Sequence, residues 1–208
     1  MTLRPRSCAL AAALTLSLFA STGRAHTFEA SRTALVAIEA EHVDVLVLYE
    51  LGNSTESATV DALADANRDG RVAGVWEELA LAQALLPRAL TGLSLLIDGA
   101  APTLHVVRAE FEPGARSGGP SVWQAAVLLR ATLPGEVAEG CLDVALALAR
   151  GSDAVHVHAE VAPSWRVAES SAAPPEAEGR AWSAELRGGG GTRWCVTRSG
   201  AEEGHAAP

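Results

Sequence analysis

The chain has 208 residues, 49% of them hydrophobic and 4% aromatic, with a formal net charge of −9. It is too apolar to be disordered throughout and long enough for one compact domain. The acidic balance, with arginine supplying every basic residue, argues against a protein that tracks the phosphates of a nucleic acid.

Arg4 and Arg6 precede an apolar run over residues 9–20. Gly23 and Ala25 then set small residues at the −3 and −1 positions of a cut after Ala25. This is the pattern of a secretory signal peptide over residues 1–25, and it predicts an exported mature chain beginning at His26, periplasmic or secreted. The apolar run is too short to span a bilayer, and no later stretch is long enough, so no membrane span is expected in the mature chain. Cys8 departs with the leader. Cys141 and Cys195 remain, an even pair suited to an oxidising compartment, and a disulfide between them is the expectation. Two buried thiols or a redox pair is the alternative.

Residues 27–39 read as a strand. Residues 42–51 read as another, because Val43, Val45, Val47, Tyr49 and Leu51 alternate with a second set. The two predict an antiparallel hairpin. Ser54 or Thr55 is placed to cap a short helix ending near Ala64. Residues 65–74 form a polar loop. Residues 75–90 predict a helix, with Trp76, Leu79, Ala80, Gln83 and Leu86 on its apolar stripe and Pro87 ending or kinking it. Period two returns over 93–97, before the turn Asp98-Gly99, and again over 104–111 and 122–133. Residues 142–149 and 154–161 predict two strands joined as a hairpin through Arg150-Gly151-Ser152-Asp153.

Together these elements predict a mainly β chain: a β-sandwich-like antiparallel domain over residues 26–169, with a helix–loop–helix (EF-hand-like) insertion at 53–90. A flexible connection follows over 170–180, then a hairpin over 181–199 around the glycine run Gly188–Gly191, and a disordered tail over 200–208. The five tryptophans, Trp76 among them, are expected in packing roles.

The loop at 65–72 carries chemistry in its spacing. Asp65, Asn67 and Asp69 stand at positions one, three and five of a calcium loop, Gly70 at six, the Arg71 carbonyl at seven and apolar Val72 at eight. Position twelve should be a bidentate glutamate. Trp76 stands there, and Glu77 follows at thirteen, within reach if Ala73-Gly74 absorbs one extra residue. The alternative is a polar loop that caps the next helix.

This order of parts resembles the exported soluble domain of HupE/UreJ-like and related nickel/cobalt transporter proteins. The resemblance is carried by His26, the 43–51 strand, Asp65-Ala66-Asn67-Arg68-Asp69-Gly70, the helix from Val75, and Leu93-Ser94-Leu95-Leu96-Ile97-Asp98-Gly99. The membrane helices of that family are missing from this chain, and the loop's terminal glutamate is displaced. The resemblance implies a membrane metal transporter as partner.

His26 at a processed N-terminus offers an amine and an imidazole. His156 and His158 share one strand face about 6–7 Å apart, a spacing that suits nickel, cobalt or copper. His105 is a further candidate. No nucleophile motif, zinc-protease motif or phosphate loop occurs. The expected function is a non-enzymatic metal-binding or interaction module with a structural calcium site. The alternatives are a periplasmic nickel, cobalt or copper carrier or sensor beside a transporter, and a secreted hydrolase without a recognisable motif.

Overall fold

The computed structural model describes residues 30–52, 54–114, 122–133, 141–171 and 180–199. The leader, His26 and the 200–208 tail lie outside the described residues, as does nearly all of the 170–180 connection. Among the described residues, ten strands and two helices follow in chain order: β1 (Ser31–Ile38), β2 (His42–Glu50), α1 (Ser54–Ala64), α2 (Val75–Leu90), β3 (Leu93–Ile97), β4 (His105–Gly114), β5 (Val122–Thr132), β6 (Leu142–Leu148), β7 (Val155–Val161), β8 (Trp165–Ser170), β9 (Ala181–Leu186) and β10 (Gly191–Arg198). The chain is mainly β, as its alternating patterns predict. Among the described residues no helix is long and apolar enough to cross a membrane.

The strands make two sheets, one of six strands in the order β4-β5-β2-β1-β7-β9 and one of four in the order β3-β6-β10-β8. Strict alternation sorts the side chains. Val43, Val45 and Val47 on β2, Ala34, Val36 and Ile38 on β1, and Val127, Leu129 and Ala131 on β5 are buried. So are Leu142, Val144, Leu146 and Leu148 on β6 and Trp194 and Val196 on β10, and all of them enter one apolar cluster. The β1–β2 hairpin forms, antiparallel as expected, with a register running from Ser31 opposite Glu50 to Ile38 opposite Val43.

Three expectations about connectivity fail. β6 and β7 do not form a hairpin: β6 belongs to the four-stranded sheet and β7 to the six-stranded one. The turn Arg150-Gly151-Ser152-Asp153 therefore carries the chain from one sheet to the other. The 181–199 segment is not a hairpin either, because β9 pairs with β7 while β10 pairs with β6 and β8. Nor is the pairing antiparallel throughout, since β1 and β7 run parallel. Turn residues and alternation are local signals; neither records which sheet a strand joins.

The helices lie between β2 and β3, where the insertion is expected, and two side chains tie them to the large sheet. Trp123 on β5 donates its indole N–H to Asp61 on α1 at 2.6 Å. Arg32 on β1, 4% exposed, donates to the carbonyls of Thr91 at 2.6 Å and Arg88 at 3.0 Å, carbonyls at the end of α2 that the helix cannot satisfy itself. Burial lowers the Arg32 pKa from its ordinary value, opposed by Tyr49 and Asp153. Pro87 does not end α2, which continues to Leu90. The Arg32 bonds and the Thr91 hydroxyl, which bonds the Pro87 carbonyl at 2.6 Å, hold that last turn. Gly92 then leaves the helix at φ 73°, with Ser152 packed where a β-carbon would stand.

The buried stripe of α2 is Glu77, Leu81, Ala84, Leu85 and Ala89. It lies about one residue, or 100°, round from the expected stripe. Leu79 is 47% exposed and Trp76 is 80% exposed, so Trp76 is no core residue. The rotation carries the Glu77 side chain inward, where it is 6% exposed.

On the other face of the six-stranded sheet, Arg130 on β5 donates two bonds of 2.7 Å to the Asp44 carboxylate on β2. These bonds hold Asp44 below its ordinary pKa of 3.8. A carboxyl depressed in the folded state contributes stability above its unfolded pKa and loses it as pH falls through the folded value. Acidification below about pH 4 should therefore weaken the wild type more steeply than Asp44→Asn. Urea midpoints measured from pH 6 to pH 2.5 test this; equal acid slopes for the two proteins would sink it.

Candidate metal centre

The segment between α1 and α2 is a sequence of short turns closed by its own side chains. The Asp65 carboxylate accepts the backbone N–H of Asp69 at 3.1 Å and that of Gly70 at 2.9 Å. The Asn67 side-chain oxygen accepts the Asp69 N–H at 2.8 Å, and the Asp69 carboxylate accepts the Arg71 N–H at 2.9 Å. Each is the self-bonding of an Asp or Asn side chain to a backbone amide a few residues on. Two residues take the left-handed backbone this needs: Gly70 at φ 79° and, unusually for a side chain with a β-carbon, Arg68 at φ 60°.

Glu77 closes the other side. It stands in the first turn of α2 and reaches back over Gly74, itself at φ 97°. Its two oxygens accept the N–H of Ala73 at 2.9 Å and the N–H of Asn67 at 3.3 Å. Glu77 is 6% exposed, and among the described residues no arginine or histidine pairs with it. A buried carboxylate held only by neutral donors is costly. Each carboxylate oxygen has two lone pairs, and one amide uses only one of them, so acceptor capacity remains on Asp65, Asp69 and Glu77. Trp76, the residue at position twelve, points to solvent instead. The loop thus brings Asp65, Asn67, Asp69, Arg71 and Glu77 into one turn system. Among the described residues no set of three or more His, Cys, Asp and Glu side chains converges closely enough to hold a metal.

The histidines fall elsewhere. His156 and His158 lie exposed on one face of β7, as their spacing predicts. His156 stands opposite Glu185 and His158 opposite Ser183 on β9. His158 Nδ1 lies 2.9 Å from the Ser183 hydroxyl. No carboxylate bonds His158 among the described residues, so this pair lacks the third group that orients a catalytic imidazole. His105 is on β4, four strands away from β7 and about 19 Å distant at ordinary strand spacing. It does not join His156 and His158. Cys141 and Cys195 stand at disulfide distance, with Cα atoms 5.3 Å apart.

Compared with known protein families, curated proteins and solved structures, the chain matches none.

Proposed function

We propose that this chain is an exported, non-enzymatic metal-binding module in which the 65–77 loop holds one structural calcium ion. The observation that carries the reading is Glu77: buried, without a cationic partner among the described residues, and turned toward the loop at Asn67 and Ala73. Calcium takes oxygen donors of mixed kind, carboxylate, side-chain amide and backbone carbonyl, and Asp65, Asn67, Asp69, Arg71 and Glu77 offer that mixture, the ion drawing together three carboxylates that do not converge in this structure. The extra residue at Ala73-Gly74 lets a glutamate at position thirteen do the work of one at twelve. The surrounding architecture we read as a β-sandwich with an EF-hand-like insertion, supported by the single apolar cluster that residues of both sheets enter.

Calcium at about a hundred times its Kd should stabilise the protein by about 2.7 kcal/mol, raising Tm by roughly 5–10 °C. Asp65→Ala with Asp69→Ala should abolish the rise. Glu77→Gln should weaken it strongly, because a bidentate carboxylate becomes one neutral oxygen. Melting curves that are the same with calcium and with chelator would leave the loop as a helix cap.

A second reading, a periplasmic nickel, cobalt or copper carrier beside a membrane transporter, draws on the shared exposed face of His156 and His158 and on the resemblance to the transporter-linked domains. The same melting assay separates the two. Nickel or copper shifting Tm in wild type but not in His156→Ala with His158→Ala, with calcium inert, would favour the carrier.

A further inference from the structure

The outward face of the six-stranded sheet is more apolar than a solvated face requires. Register places Leu46 on β2 directly between Leu35 on β1 and Leu128 on β5. Leu48, two residues along β2, extends this floor. Leu35 and Leu48 remain 37% and 40% exposed. Two concavities open over the floor. One, of about 450 Å³, is lined by Leu35, Leu46 and Leu128. The other, of about 250 Å³, is lined by Leu48 with Glu50, Glu110 and Glu112.

The charge around the floor is net negative. Among the described residues the face carries six carboxylates, Asp44, Glu50, Glu110, Glu112, Glu160 and Glu185, the last paired with Arg187 at 3.2 Å. Its two arginines are both engaged within the face, Arg108 with Glu110 and Arg130 with Asp44. Like-charge contact of this kind disfavours a second copy of the chain meeting this face with its own. The neighbouring strands already pair the backbone of β5, β2, β1 and β7, so an added strand would find no amides there. Recognition must come from side chains: apolar ones for the leucine floor and cations for the rim.

We propose that this face docks a cationic amphipathic helix of a partner protein, its apolar stripe on Leu35, Leu46, Leu48 and Leu128 and its lysines or arginines on Glu110 and Glu112. The site is separate from the 65–77 loop and stands whether or not that loop holds calcium.

The test titrates the full chain into a fluorescein-labelled helical peptide of leucine and lysine and reads anisotropy, with a leucine–glutamate peptide as counterpart. Leu35→Ser with Leu48→Ser should weaken binding by about tenfold or more. These side chains are already part-exposed, and a melting curve reports whether the fold survives. Glu110→Gln with Glu112→Gln, at exposed positions, should weaken binding severalfold and flatten its salt dependence. Trp76→Ser, which removes the most exposed apolar side chain elsewhere, should change nothing, and the leucine–glutamate peptide should not bind. Wild-type affinity in both the leucine and the glutamate variants, or binding lost with Trp76→Ser, would overturn the proposal. So would self-association of the free chain that Leu35→Ser with Leu48→Ser removes, because the occupant would then be a second copy.

Discussion

Replacing Cys141 and Cys195 by alanine together should cost about 4 kcal/mol of stability. The two residues are 54 apart in sequence, and the span between them holds β6, β7, β8 and β9. β10, which carries Cys195, already pairs with β6 and β8 on either side, so the native sheet does not need the bond to place the strand. Its effect falls mainly on the unfolded chain, where it removes the freedom of a long loop. The loss is a large share of the 5–15 kcal/mol that holds a typical domain together, and it corresponds to a fall in Tm of roughly 8–16 °C at this size. The uncross-linked unfolded state is also more expanded, so the urea m-value should rise. Equilibrium urea unfolding of the oxidised protein and the double variant measures both quantities. A difference under about 1 kcal/mol would mean that the bridge does not restrict the unfolded chain in this way.

The strands are legible in the sequence wherever one face is buried and the other is not. Val43 to Tyr49 alternate without interruption, and β2 ends within one residue of its expected limit. β8 is the strand the pattern misses. Of its side chains only Trp165 is fully buried, so no period two marks it. Sheet membership is not legible, because Arg150–Asp153 is equally good chemistry for a hairpin and for a crossing between sheets. In the loop, spacing identifies Asp65, Asn67 and Asp69, whose side chains act within a few residues of themselves. The roles of Trp76 and Glu77 depend on which side of α2 faces the sheet, and that is settled by partners far away in sequence. Arg32 is the chief of these: 56 and 59 residues separate it from the carbonyls it binds, and nothing near it distinguishes it from the other arginines. The leucine floor escapes notice for the same reason, since Leu35, Leu46 and Leu128 become neighbours only through strand register.

The same dependence on distant partners makes Trp165 the residue whose loss should be felt most among the side chains. It opens β8 at the corner where the chain leaves the large sheet. Just before it, Ala162 still donates to the Ile38 carbonyl of β1 at 2.9 Å, and the Ala162 carbonyl accepts the Trp165 N–H at 2.9 Å. The Trp165 ring is 2% exposed, and its indole N–H reaches the Glu39 carbonyl in the β1–β2 turn at 2.8 Å. The Arg198 guanidinium lies 4.6 Å from a ring centroid of Trp165 and bonds the Ala40 carbonyl in the same turn at 3.3 Å. Trp165, with Arg198 over its ring, therefore fastens the small sheet to the hairpin of the large one. Trp165→Ala should cost about 3–5 kcal/mol, combining lost burial with the cavity left behind. Trp165→Phe keeps most of the apolar area and the ring beneath Arg198 but leaves the Glu39 carbonyl without that donor, so about 1–3 kcal/mol is expected. Urea unfolding of both variants gives the comparison. If the corner joins the sheets as described, the alanine variant should fall well below the phenylalanine one with the transition still cooperative. Equal losses would assign the effect to the hydrogen bond alone, and a loss under about 1 kcal/mol for alanine would remove Trp165 from that role.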